Sequence, residues 1–234
     1  RLLSYVMDVY WEKIDPQRDF EGFAAYAAFF PHLLCGPIQR ADEFFPQLST
    51  GKNRVPQFWV SGFRLILCGL FKKLVIADNL SVIVDNVFGH PSRYNSVALW
   101  VAAYSFYLQL YADFSGLTNI AIGSARLFGV ESPPNFNAPY LAPNIQDFWR
   151  RWHMTLCRWI NDYLFLPVRM NLRHWQNTGL IVSIFIGMLA ISLWHGVSSG
   201  FIAFGLIQGV LVSVSALTLK TRDLFFKEKK FLSC

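Results

Sequence analysis

Two of the five histidines stand where an imidazole can handle a proton in an oily setting. His153 lies in FWRRWHMTLCRW (148–159), a stretch holding three tryptophans and three arginines. His195 lies in SLWHG, inside a run from Arg173 to Lys220 with no Asp, Glu, Lys or Arg between its ends. An ionisable side chain in such a run is costly, and its default reading is a functional site facing a cavity. Burial there is expected to keep the imidazole neutral, the state a general base requires. The bland alternative is a neutral histidine bonded to a neighbouring carbonyl. For His153 the alternative is an amphipathic anchor at a membrane interface. His32, His90 and His174 sit near prolines or cationic turns and read as ordinary loop residues.

The elements that must position these histidines follow from the apolar pattern. Asn144 is placed to cap a helix, with Asp147 at the position a capping box favours. Ile145, Phe148, Trp149, Trp152, Leu156, Trp159, Ile160 and Tyr163 recur at three- and four-residue steps, which predicts one amphipathic, shallow helix. Arg151, Arg158 and Asp162 fall on another line, with Arg158 and Asp162 four apart and able to pair. His153 falls at the edge of the aromatic stripe. The uncharged run that holds His195 has room for two spans of about 20 residues joined by a short turn. Gly196 and Gly200, then Gly205 and Gly209, have the GxxxG spacing that lets helices approach closely.

Elsewhere, Gly22 to Gln39 is uncharged but interrupted by Pro31 and Pro37, which predicts a kinked or re-entrant helix. Gln57 to Phe88 is helical in pattern, with KKLVIAD as an interfacial stretch. Tyr94 to Ala112 is a further span, closed by Asp113. SPPNFNAPYLAPN (132–144) is a loop. No repeat of 20–50 residues and no inverted-repeat symmetry is visible. The first residue is Arg1, and RLLSYVMDVY reads as the end of a helix already under way, without a signal-peptide pattern. A longer parent chain is therefore expected.

Composition bounds the class. Of the 234 residues 53% are hydrophobic and only 15% charged, against roughly 25% charged in a soluble domain. Such a chain cannot cover a globular surface with charge, and an integral membrane protein is expected. The net charge of +6 comes from cations at the ends of apolar stretches: Lys72 and Lys73, Arg150 and Arg151, Arg169 and Arg173, and Lys220 to Lys230. That is the pattern of positive-inside orientation and snorkelling, so nucleic-acid binding is not expected. Cys35, Cys68, Cys157 and Cys234 lack metal-ligand spacing and read as buried free thiols, and no metal site is assigned. GVSSG (196–200) matches the G-x-S-x-G nucleophile elbow, but that motif works on a strand-to-helix turn. No alternating strands surround it here, so Ser198 is not expected to be a nucleophile. His153 also lacks the Asp of the His-x4-Asp glycerolipid acyltransferase pattern.

Taken in order, FPHLLCGPIQR, YADFSG, NFNAPY, DFWRRWHMTL and LWHG closely resemble the membrane-bound O-acyltransferase family, over about Ser4 to Gly209. The nearest branch is of the bacterial alginate O-acetyltransferase type, with the D-alanyl transferase of teichoic acid modification as a cousin. The resemblance implies an all-α fold of polytopic membrane helices around a central tunnel, with re-entrant or interfacial amphipathic helices. It makes 1–234 a single membrane-embedded acyltransferase domain, in a multi-pass protein of the cell membrane. The histidine of the W-H-G motif falls on His195, the catalytic one, and that of R-W-H falls on His153, beside the same site. Trp149, Trp152, Trp194, Asn137, Asp113, Arg150 and Arg151 are the candidates for substrate contact. One departure stands out: VRMNLRHW (168–175) replaces the Gly-Gly-Asn-Arg that relatives carry after DYLF-P.

The implied reaction moves a short acyl group, acetyl first, from a thioester to a hydroxyl. His195 would take the hydroxyl proton, worth about 10²–10⁴-fold. His153 would protonate the leaving thiolate or hydrogen-bond the acyl carbonyl. No cofactor is expected to be bound; the donor, acetyl-CoA or an acyl carrier, is a substrate. Arg150, Arg151 or Arg158 would meet its phosphates or those of lipids. The implied partners are the bilayer, an exported-polysaccharide machinery and an extracytoplasmic acyltransferase. D-alanyl transfer, a proton-coupled transporter and a non-catalytic scaffold of an export complex are the alternatives.

Overall fold

The computed structural model describes residues 1–50 and 56–232, with side chains described at 1–48 and 56–218. The chain is all-α, with no strand among the described residues. It divides into two compact units, 1–135 and 136–234.

The first unit begins with α1 (Leu2–Tyr10), α2 (Phe20–Ala27) and α3 (Ala41–Thr50). Asp19 caps α2 by accepting from the backbone N–H groups of Glu21 and Gly22. The kinked or re-entrant helix expected over 22–39 is not formed. Helix α2 stops at Ala27, a single tight turn follows at Phe30–His32, and irregular backbone continues to α3. Eight residues of helix reach about 12 Å, and the prolines beyond cannot supply the N–H groups a longer helix needs. Irregular backbone must find partners of its own. The Gln39 amide donates to the Glu131 carbonyl at 2.8 Å, and Gln47 both donates to and accepts from Glu131. His32, expected as an ordinary loop residue, is buried and shares a 2.8 Å hydrogen bond with Ser132 across 100 residues of sequence. Its burial pushes the imidazole down to about 3, with the Arg1 charge adding to the shift. Beside this seam Tyr26, Phe44, Ala41, Ala125 and Val130 form the core, with Tyr5, Phe29 and Phe45 packed on it.

The rest of the unit is two long helical runs. The first is α4 (Pro56–Leu70), a π-helical stretch (Phe71–Ala77) and α5 (Asp78–Gly89). The second is α6 (Ser96–Leu127), capped by Asn95. Asp113 does not close this helix as expected but lies near its middle. Past it the sequence is rich in small residues, and these let α6 lie directly on α4. A Cβ on Gly69 would sit 2.5 Å from the Gly116 carbonyl oxygen, and one on Gly123 would sit 2.6 Å from that of Gly62. Two glycine pairs thus hold the antiparallel helices at backbone contact. Within KKLVIAD, Lys73 pairs with Asp78 at 2.7 Å and with Asp113 at 3.0 Å. Cys35, Cys68 and Cys157 are free, but Cys68 is exposed and the other two only half-buried. Cys234 and the side chains of Lys220 to Lys230 lie outside the described residues.

The second unit contains α7 (Ile145–Arg151), α8 (Met154–Ile160), a π-helical stretch (Asn161–Phe165), α9 (Leu166–Asn171), α10 (Gln176–His195) and α11 (Ser199–Leu232). The two spans expected in the uncharged run are present, Arg173–His195 and Ser199–Thr218, both long and apolar enough to cross a membrane; the further span expected at 94–112 lies in α6, which is long enough but does not meet the same test of apolarity. Gly205 packs on Leu189 and Ser192, and Gly209 on Phe185, so this GxxxG pair closes the hairpin. The other pair does not: Gly196 lies in the turn, and Gly200 meets only the Ser198 hydroxyl.

Two outcomes test this account. Gly69→Ala should lower stability by about 1–3 kcal/mol through overpacking. Gly89→Ala, where an added Cβ meets nothing within 4 Å, should be neutral or gain up to about 1 kcal/mol. Thermal unfolding of the full chain in detergent compares them, and equal Tm values would refute the glycine crossing. For His32, the unfolded chain takes up a proton near pH 6.5 and the native state only near 3. Stability must therefore fall as pH drops through that window. Wild type should lose stability relative to His32→Gln between pH 7 and pH 4, as read by denaturant midpoints at each pH.

Candidate functional site

Helix α7 is capped as expected: Asn144 accepts from the Asp147 backbone N–H at 2.9 Å. No capping box forms, because the Asp147 carboxylate is engaged by Arg151 one turn on, at 2.7 Å. The helix then stops. The Asn137 backbone N–H donates to the Arg151 carbonyl at 2.9 Å. Trp152 turns extended, and His153 adopts the left-handed conformation (φ 44°, ψ 51°) before α8 begins. The single continuous helix expected here is therefore two short helices, broken at His153. A left-handed non-glycine residue is uncommon, and such strain concentrates at functional sites.

The break sends the tryptophans in different directions. Trp152 stacks on Phe148 at 5.7 Å and meets Phe136 edge-on at 5.1 Å. Trp149 faces α11, where its indole N–H donates to the Gln208 side-chain oxygen at 3.1 Å and its ring meets Phe204. These contacts leave His153 packed inward, only 3% exposed. Its ring lies 6.0 Å from Trp194 and 6.5 Å from His195, centroid to centroid. Burial pushes the His153 imidazole down to about 3, and nearby His195 adds to the shift.

His195 differs from expectation in one respect. It is the last residue of α10 and is exposed, so it ends a span instead of lying within one. Glycine follows it and the helix cannot continue through the turn; the deeply enclosed histidine of the pair is His153. His195 stacks on Phe201 at 6.2 Å with 20° between the planes, and Trp194 meets it edge-on. Phe201 is held from behind: the fully buried Ser192 hydroxyl donates to its carbonyl at 2.6 Å.

The structure thus brings His153, His195 and Trp194 together, with Trp149 and Trp152 bracing the break. Asn137 contributes its backbone there and its side chain is exposed. Arg150 is exposed, whereas Arg151 is tied to Asp147. Asp113 belongs to the first unit and holds Lys73. Among the described residues no three His, Cys, Asp or Glu side chains converge as metal ligands would. Sequence reasoning missed Phe201, Ser192 and Gln208. Nothing in an apolar run marks which serine or phenylalanine will back a histidine; only the register of the hairpin does.

Comparison with known proteins identifies the family. The family model for MBOAT, the membrane-bound O-acyltransferase family, matches residues 18–232. The chain is 38% identical over 221 residues to the peptidoglycan O-acetyltransferase of Helicobacter pylori, covering 92% of the chain and 41% of that protein. It is 34% identical over 230 residues to the probable alginate O-acetylase AlgI of Pseudomonas putida, covering 98% and 47%. With the teichoic acid D-alanyltransferase of Bacillus subtilis it shares 32% over 197 residues, covering 80% and 49%. The chain spans less than half the length of each of these relatives. Five ordered motifs, two apolar spans and a family-model match along nearly the whole sequence lead to one conclusion: the chain belongs to the membrane-bound O-acyltransferase family.

Proposed function

We propose that the protein to which this chain belongs transfers an acetyl group from a thioester donor toward hydroxyls of an exported polysaccharide. The observation that carries this reading is the pairing of His153 and His195, rings 6.5 Å apart, one enclosed and one open. Rings at that separation leave room for an oxygen within about 2.6–3.2 Å of a nitrogen on each. His195, reachable from outside the chain, takes the proton of the acceptor hydroxyl as the oxygen attacks the thioester carbonyl. His153, held neutral by burial, donates its N–H to the carbonyl oxygen as charge builds there, a donor fixed in advance in a dry site. The tetrahedral intermediate then expels the thiolate, which recovers the proton from His195. The product is an ester and a free thiol, and both histidines return to their starting state.

Acetyl is preferred over D-alanyl because the relatives named for acetyl transfer match more of this chain, 92% and 98% against 80%. The donor is acetyl-CoA or an acyl carrier, with Arg150 exposed and available to its phosphates. In this reading the protein is multi-pass in the cell membrane and works with an exported-polysaccharide machinery and an extracytoplasmic acyltransferase. Two apolar spans support the membrane location, and the relatives' names support a polysaccharide as the acceptor.

His195→Ala in the full-length protein, at matched membrane abundance, should reduce ester-linked acetyl on surface glycans by at least about 10²-fold. Mass spectrometry of the released esters reads this directly, and an unchanged ester content would overturn the reading. Ser192 positions the base through Phe201, so Ser192→Ala should lower kcat by about tenfold or more while the donor KM stays within about twofold. A lowered Tm with unchanged kcat would make Ser192 purely structural.

A further inference from the structure

Helix α11 supports both halves of the histidine pair along one line of side chains. Phe201, Phe204 and Gln208 follow at steps of three and four, which places them on one face. Phe201 stacks on His195 at 6.2 Å. Phe204 meets the Trp149 ring at 6.4 Å, and the Gln208 side-chain oxygen accepts from the Trp149 indole N–H at 3.1 Å. Trp149 belongs to α7, the helix that ends at the break holding His153. The adjoining stripe of α11, Gly205 and Gly209, faces α10 and seats the two spans together. All of these residues lie within the unit 136–234.

Apolar packing alone does not account for Gln208. It is the one amide side chain in the sequence 199–218, and it stands tenth of the twenty residues of that span. An amide in such a setting is costly unless it is hydrogen-bonded. Its partner is equally dependent on the bond, because Trp149 is buried and its N–H has no water to turn to. Ring contact with Phe204 would let the indole slide, whereas one N–H aimed at one oxygen fixes its height and rotation. His153 follows four residues later in a left-handed conformation, and such a conformation persists only where the surroundings over-determine it. The Asn137 bond ties the end of α7 to a loop. The Gln208 bond ties α7 to the span on which His195 leans.

We infer that Gln208 is a positioning residue: through Trp149 it sets the separation between His153 and His195. One face of one span then registers both histidines, at two points seven residues and about 10 Å apart along its axis. The effect on reaction rate rests on the acyltransferase reading, whereas the separation does not.

The test uses the full-length protein in native membranes, with all readings taken per folded molecule. For the separation, its own cysteines are replaced by serine and His153→Cys is combined with His195→Cys. Dibromobimane, a short reagent that fluoresces once it links two thiols, then reports how readily the two positions meet. Gln208→Met keeps the length of the side chain and removes the accepting oxygen, and should slow the crosslink by about fivefold or more. Trp149→Phe removes the donor, and adding Gln208→Met to it should cost nothing further. An unchanged crosslinking rate in Gln208→Met, or losses that simply add in the double variant, would overturn the inference. For the rate, Gln208→Met with both histidines and the cysteines restored should lower kcat by about tenfold or more, with donor KM within about twofold. A lowered Tm with unchanged kcat would make Gln208 purely structural and overturn its role in positioning. If ester formation survives His195→Ala while the crosslink still responds to Gln208→Met, the acyltransferase reading falls and the separation stands.

Discussion

Backbone polar groups in an oily chain have no solvent to fall back on, and everything else in this protein follows from that constraint. Helix satisfies them internally, so helix is the default. What distinguishes this chain is where helix is interrupted and what takes over the bonding. After α6, the backbone N–H and carbonyl of Glu131 are taken by the side chains of Gln39 and Gln47, and the Ser132 hydroxyl by His32. At 151 the Asn137 N–H takes the last carbonyl of α7. At the hairpin turn the Ser192 hydroxyl takes the Phe201 carbonyl. The bond at 151 adjoins His153, and the Ser192 bond ties the two spans together beside His195.

The interruptions also explain why one histidine is enclosed and the other open. A left-handed residue between two short helices has neighbours on all sides, so His153 is enclosed. The last residue of a span has neighbours on one side only, so His195 is open and leans on Phe201. In the proposed mechanism the enclosed ring holds a hydrogen bond and the open one exchanges a proton.

Much of the second unit was legible in advance. The uncharged run had the length of two spans, Asn144 had the chemistry of a cap, and the two histidines had motif partners. The break at His153 was not legible, because the residues around it keep helical periodicity on both sides and the cause is a backbone bond from a loop residue. In the first unit, Asp113 looked like a helix end because a lone carboxylate after an apolar run usually is one. Its partner Lys73 lies 40 positions earlier in sequence and is brought to it only by helix packing. His32 was passed over for the same reason: the serine that engages it is remote in sequence. Periodicity within a segment can be read from a string, but a bond between distant segments cannot.

The two glycine pairs of α4 and α6 bear on how such a chain can drift over generations. Gly62 and Gly69 are seven positions apart, as are Gly116 and Gly123, and seven residues return a helix to nearly the same face, within about 20°. Gain or loss of one residue between either pair would swing one glycine about 100° away from its partner and set a side chain against backbone. Length changes are therefore confined to the connections, such as the one between α5 and α6. The spacing acts as a ruler that tolerates substitution around it but no insertion within it.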